Sequence, residues 1–463
     1  MERGSRLTFK AALFVMLFCI AAAAAVYIFQ YKSGMNLSSE ATVPGSLRVW
    51  YTDEAMKSYI EKTAADYTKE TGIKVETHLM DGTGYLEEIN RASLDDSGLP
   101  DVYLIASENL EKAAMAGLAY EPLDGSGLLN DMDYPESAMN SVSYNGEIMA
   151  YPLSFETAFL LYDKTNLEKI AESKRAAGEN VSAEDLVPSS IEDIIRLAAS
   201  TDAPPGMDDF FEWDVSDIFY NYFFTGSYMN VGGAAGDDRD SIDIYNEETI
   251  RCMSIYQSLN AFFSIDSKES DYHKVMEDFA QGKTLFTIAT TDALAFLEAR
   301  KAAGVFTHEY GVAALPSIDS EHEAKGLSST SCVVVNGYSR QREAADRLAS
   351  LIASDKDGSF YELTGKFSCM EKYSISQDST GNSEAIIRKA YAESAGLPKI
   401  GELTDFWLRL ELVYSRVWDG EDPNEALKEL SGRVKSAVLG TSVSEDAIAT
   451  PEIRDISEGL YTD

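Results

Sequence analysis

The sequence predicts an α/β protein of two lobes preceded by an N-terminal signal or anchor helix, on three observations. The chain has 463 residues, more than one ordinary core encloses, so two lobes are the default. From Ser46 onward, short apolar runs alternate with amphipathic helical patterns, the order of a mostly parallel sheet covered on both faces. Before that, residues 11–29, AALFVMLFCIAAAAAVYIF, form an uninterrupted apolar run.

Arg3, Arg6 and Lys10 precede that run, so the basic end stays in the cytoplasm and the rest is exported. Nineteen residues nearly span a bilayer and exceed a usual signal-peptide core. A retained anchor, cleavage near the alanines and a lipoprotein attached through Cys19 are the three readings of residues 1–31. Residues 32–46 are a polar spacer. The composition, 45% hydrophobic and 25% charged, is that of a globular protein. The net charge is −38, and the chain beyond the spacer carries −40 of it against +2 before, a surface that repels nucleic acid and anionic lipid. Cys252, Cys332 and Cys369 are an odd number, read either as buried thiols or as a Cys332–Cys369 pair with one left over. Four scattered histidines supply no metal-ligand spacing, and no metal or cofactor is expected.

The elements follow in order. SLRVWY is a strand, EAMKSYIEKTAADYTKET a helix ending at Gly72, and IKVETHLM the next strand, breaking at residues 81–84. GYLEEINRASLDDSG is a helix, PDVYLIAS a strand ending at Ser107, and NLEKAAMAGLAYEPL a helix and return. Ligands of such sheets bind beyond the carboxyl ends of strands, here residues 50–54, 81–85 and 107–109. FETAFLLYDK then reads as a buried strand headed by Glu156, a carboxylate too costly to bury without a partner. VPSSIEDIIRLAAS starts a helix capped at Ser189 or Ser190, and residues 207–231 are dense in aromatics. A long helix is expected over residues 247–263, and a helix, strand and helix over 274–303. SSTSCVVV is a strand with a small-polar head, and helices complete the chain, among them DFWLRLELVYSRVWDG.

Four of these segments, in this order, resemble the extracellular solute-binding proteins of ABC transporters, in the sugar-binding group that includes maltose-binding protein. They are GLPDVYLIASENLEKAAMAGLAYEPL, YNGEIMAYPLSFETAFLLYDKTNL, FAQGKTLFTIATTDA with YGVAALP, and DFWLRLELVYSRVWDGEDPNEALKEL. The resemblance covers roughly residues 47–434. It implies a periplasmic-binding-protein-like clamp with three interlobe crossings, residues 47–155 with 331–371 as lobe 1 and 156–330 with 372–463 as lobe 2. It implies a non-catalytic binder that captures a small molecule, an oligosaccharide, by hinge closure and delivers it to a membrane permease.

Glu156 matches the family's acid on the first crossing strand, which accepts hydrogen bonds from ligand hydroxyls; a helix cap or interlobe ion pair is its structural alternative. Trp407 matches an aromatic that stacks on a sugar ring. Trp50, Asp53, Glu54, Tyr85, Ser107 and Trp213 are further candidates, while Tyr220 and Tyr228 read rather as core. Asp292 stands where maltose-binding protein has a stacking tryptophan, which trades an aromatic face for a charge. A cleft holding Asp292, Glu156 and Asp53 suits a hydroxylated sugar or a cationic solute such as a polyamine or basic peptide. A tethered sensory binder is another alternative. A glycosidase is a third class, but GxSxG, HExxH and P-loop patterns do not occur.

Overall fold

The computed structural model describes residues 45–95, 98–371 and 381–453. The expected signal or anchor segment, Cys19, nearly all of the spacer and the point at residue 372 where lobe 2 was expected to resume lie outside the described residues.

Nine strands matter for the site: β1 (Leu47–Tyr51), β2 (Val75–Leu79), β3 (Val102–Ala106), β4 (Tyr151–Asp163), β5 (Asp209–Phe211), β6 (Thr284–Thr290), β7 (Tyr310–Ala313), β8 (Leu327–Asn336) and β9 (Phe367–Ser368). Among the described residues they belong to one eleven-stranded sheet, running β2-β1-β3-β8-β4-β6-β5, with β7 and β9 pairing on β4. β1 is parallel to β2 and to β3, as the strand–helix–strand pattern predicts. The sheet as a whole is mixed, which corrects the mostly parallel expectation. β8 runs antiparallel to both β3 and β4, and β6 antiparallel to β4. The sequence shows that these strands exist but not their direction, because their connections are long enough for either sense.

β4 is the spine. Its 13 residues are buried except Glu156 and Tyr162. Alternation sends Tyr151, Leu153, Phe155, Phe159 and Leu161 to one face, where they join a core shared with Leu47, Val102, Val333 and Leu294. On the opposite face Ala150, just ahead of the strand, packs in a core with Ile105 and Val334, whereas Ala158 and Leu160 pack in another with Trp213 and Trp418. One face of the spine is therefore a continuous core, and the other changes core partway along.

Helices cover both faces: α1 (Lys57–Thr71), α2 (Ile191–Ser200), α3 (Glu247–Ser258), α4 (Tyr272–Ala280), α5 (Asp292–Ala302) and α6 (Phe406–Trp418) among them. α1 stops at Gly72, whose φ of 76° is left-handed and free of strain only in glycine. α2 starts at Ser190 in a capping box with Asp193, one of the two expected caps. The helix expected over residues 247–263 is broken, with α3 ending at Ser258 and a separate turn over Asn260–Phe263. Cys252, Cys332 and Cys369 are buried free thiols, so the Cys332–Cys369 disulfide is not formed. None of the helices among the described residues is long and apolar enough to cross a membrane.

Candidate functional site

Glu156 sits where the divided face of β4 passes from one core to the other. Its neighbours on that face are Ser154 on one side and Ala158 on the other, so no apolar layer covers it, and its side chain is 47% exposed. The strand beside it supports the same gap: Ser329 of β8 pairs with Glu156 and Ser331 with Ser154. Glu156, Ser154, Ser329 and Ser331 form the floor of a cavity of about 200 Å3. Tyr51, Met56 and Phe155 add apolar wall, and Asp53 and Lys366 close its rim. Ser328 and Thr330 point the other way, into a separate groove of about 400 Å3 with Ser107, Tyr222 and Lys399. The small-polar head of SSTSCVVV thus lines a cavity on either face.

Lys366 answers what partners Glu156. Its Nζ lies 3.2 Å from Glu156 Oε1 and 3.0 Å from Asp53 Oδ2. Strand pairing sets this up: Phe367 of β9 is opposite Phe155 of β4, which brings the preceding residue alongside Glu156. Asp53 is fixed from its other side, since its Oδ1 accepts the Ala55 N–H at 2.9 Å, capping the short helix Glu54–Met56. Burial alone would lower Lys366, but Glu156 and Asp53 outweigh it and hold the ammonium above its usual range. Glu156 Oε2 has no hydrogen-bond partner among the described residues, which leaves an acceptor free on a residue that lines the cavity. Just beyond β3, Glu108 has its carboxyl pushed up by burial and by nearby Glu156.

Of the nine candidate residues, only Asp53 and Glu156 come together at this cavity. Glu54 begins the short helix behind Asp53 and does not line the cavity. Trp50 faces away from it: the pleat turns Tyr51 toward the cavity and sends Trp50, 8% exposed, into the core of Tyr85 and Tyr103. Tyr85 is likewise a core residue, and burial pushes its hydroxyl up. Trp213 is a core residue as well. It is fully buried, stacks on Phe211 at 4.5 Å, and donates from Nε1 to Asn221 Oδ1 at 2.9 Å. Ser107 is buried in the second groove, where burial pulls the Lys399 amine down to about 8.

Trp407 and Asp292 lie elsewhere. Trp407 is partly buried near the start of α6, edge-on to Tyr222 at 5.8 Å. Asp292 opens α5, exposed, and accepts from the Tyr272 hydroxyl at 3.1 Å and from Thr290. Tyr272 in turn stacks on Tyr220 at 4.5 Å. Tyr220 is buried, and Tyr228 packs against His322 at 5.5 Å. Lys366 is the residue that sequence reasoning missed; its only signal was that Glu156 requires a counter-charge.

A sheet threaded by two long strands, with a partly exposed carboxylate where one face changes core, fits a binding protein. The chain belongs to the bacterial extracellular solute-binding proteins, whose family model it matches over residues 50–358. Among its relatives, the maltooligosaccharide ABC transporter solute-binding lipoprotein of Streptococcus pneumoniae is 24% identical over 383 residues, 81% of this chain and 83% of that protein. The galactooligosaccharide-binding protein of Bacillus subtilis is 21% identical over 425 residues, 87% of this chain and 91% of its own. A solved cyclo/maltodextrin-binding protein complexed with maltotetraose shares the fold at a TM-score of 0.70 and 19% identity, over 86% of this chain and 98% of its own.

Proposed function

We propose that this protein is the non-catalytic extracellular solute-binding subunit of an ABC importer, and that its solute is a carbohydrate, an oligosaccharide, delivered to a membrane permease. The observation that carries the reading is Glu156: a carboxylate with one open acceptor, held mid-strand between two cores and ringed by Ser154, Ser329 and Ser331. Ionised carboxylates accept two hydroxyl donors at once, and serines both donate and accept. The names of the maltooligosaccharide and galactooligosaccharide relatives point the same way.

In this reading residues 47–155 with 331–371 form one lobe and residues 156–330 with 372–463 the other. β4 and β8 carry two of the three crossings. The change of core at Glu156 supports a boundary there, with the carboxylate on the cleft floor. Ligand bridges the lobes, closure buries it, and the closed form is what the permease reads. Trp407 and Asp292 belong to the opposing wall. Export leaves the folded part on the outer face of the membrane, tethered by the N-terminal segment or released from it.

A cationic solute is the second reading, favoured by the exposed Asp292 beside the stacked tyrosines. A thermal-shift screen separates the two, because a ligand that binds only the folded state raises the melting temperature by mass action. Maltooligosaccharides, galactooligosaccharides, monosaccharides, polyamines and basic amino acids are compared. A shift with a glycan that is lost in Glu156→Ala is the expected result. Shifts with cations alone would overturn the carbohydrate assignment.

A further inference from the structure

The cavity beside Glu156 contains its own cation. Lys366 Nζ donates to Glu156 Oε1 at 3.2 Å and forms an ion pair with Asp53 Oδ2 at 3.0 Å. An ammonium has three N–H donors, so one remains for a ligand after both carboxylates are served. An acceptor and a donor side by side are the complement of a hydroxyl, which donates to the carboxylate and accepts from the ammonium at once. Both contacts involve an ion and are of the stronger class.

We propose that Lys366 is the specificity-determining residue of this site: a built-in counter-ion that selects an uncharged, hydroxyl-bearing ligand. The assignment rests on the carbohydrate reading above and narrows it to neutral sugars. An alkylammonium ligand brings donors alone; it leaves the third N–H of Lys366 unmet and places two cations in contact. A ligand carboxylate meets Asp53 and Glu156 at close range. A hydroxyl satisfies both partners and adds no charge of its own to the cluster. Asp292 does not line this cavity, and its Oδ1 accepts from Tyr272 and Thr290.

The position is built to hold the ammonium still. Gly365 ends the helix Phe360–Thr364 with a φ of 69°, Thr364 Oγ1 accepts the Lys366 N–H at 3.0 Å, and β9 then locks into register on β4. A lysine side chain loses much rotamer freedom when pinned, and here the backbone on both sides is fixed before the side chain is.

The test compares the full chain in detergent with Lys366→Met and Lys366→Arg. Each is titrated calorimetrically with maltotriose, a galactose trisaccharide, the cationic glucosamine trisaccharide and spermidine. The parent chain is expected to bind one neutral trisaccharide and to reject the glucosamine trimer. Lys366→Met, an uncharged side chain of similar length, should lose at least tenfold for the neutral sugar and gain at least tenfold for the glucosamine trimer or spermidine. Lys366→Arg should keep the neutral preference. Neutral affinity within threefold of the parent and an unchanged order of ligands in Lys366→Met would reduce Lys366 to a structural pair and overturn the assignment. A parent chain that binds the glucosamine trimer more tightly than any neutral sugar would overturn it too, while leaving the carbohydrate reading intact. A parent chain that binds spermidine and no glycan would refute both. Should Lys366→Met not fold, Lys366→Gln and the arginine variant give the same comparison.

Discussion

Replacing Glu156 by glutamine separates binding from folding, and the structure sets both magnitudes. Glu156 is 47% exposed, Asp53 45% and Lys366 25%. Ion pairs this wet are worth about 0–1 kcal/mol to folding. Glutamine keeps the volume and one acceptor, and Asp53 still neutralises Lys366, so no buried charge is stranded. The melting temperature should therefore fall by no more than about 2 °C. Ligand binding loses a hydrogen bond to an ionised acceptor, worth about 1.5–3 kcal/mol, or roughly 10- to 150-fold in Kd. The assay is calorimetric titration with the best glycan of the screen, beside a thermal melt without ligand. If the melt drops by 10 °C or more, Glu156 is a structural residue and the argument from its exposure is wrong. If the melt holds and affinity also holds within threefold, the sugar lies elsewhere.

Trp213→Ala should do the reverse, destabilising the chain by about 3–5 kcal/mol through loss of core contacts, with glycan affinity unchanged at temperatures where the variant is folded; equilibrium denaturation and titration check it. Burial would lower His322, but Glu248 and Asp319, at 2.8 and 2.7 Å, outweigh it and hold the imidazole above its usual range. Its contribution to stability is thus fully present below about pH 6.5, the unfolded value, and is lost as pH rises through the higher folded value. Chemical denaturation across pH 5–9 should show that loss in the parent chain and a flatter profile in His322→Gln. Burial pushes Cys252 and Cys369 up to about 12 and raises Cys332 as well. These three thiols should resist a thiol reagent in the native chain and react in denaturant, as labelling followed by mass spectrometry would show.

The period of the sequence made the elements legible, while the direction and placement of the strands came from contacts that period does not encode. The first strand–helix–strand unit was readable because its connections are short and the sheet there is parallel. The mixed sheet was not, since nothing local in SSTSCVVV says which neighbours β8 takes. Trp213 shows the limit for aromatics. A tryptophan among phenylalanines and tyrosines has the composition of a core and of a sugar-stacking wall alike, and the decision falls to Phe211, Asn221 and Trp418, which surround it in space. Trp50 shows the limit for strand ends: one residue of register moves a side chain from the cavity to the core, and Tyr51 faces the cavity in its place.

Glu156 was legible for a different reason. A carboxylate in an apolar strand contradicts its surroundings, and such a contradiction is resolved by function or by a partner. Here the partner is Lys366, on one oxygen, and the other oxygen is left for the proposed ligand. The partner itself could not be inferred from the sequence. It stands 210 residues away in the chain, beside a strand of two residues that leaves no periodic trace. Elimination fails as well, because 77 acidic residues share 39 basic ones. In a chain so acidic at least 38 carboxylates (77 − 39) have no lysine or arginine of their own, yet one lysine is shared by two of them at this cavity rim. That scarcity is itself an argument for Lys366: a lysine shared by Asp53 and Glu156 at the rim of a cavity sits where charge bears on which ligand enters.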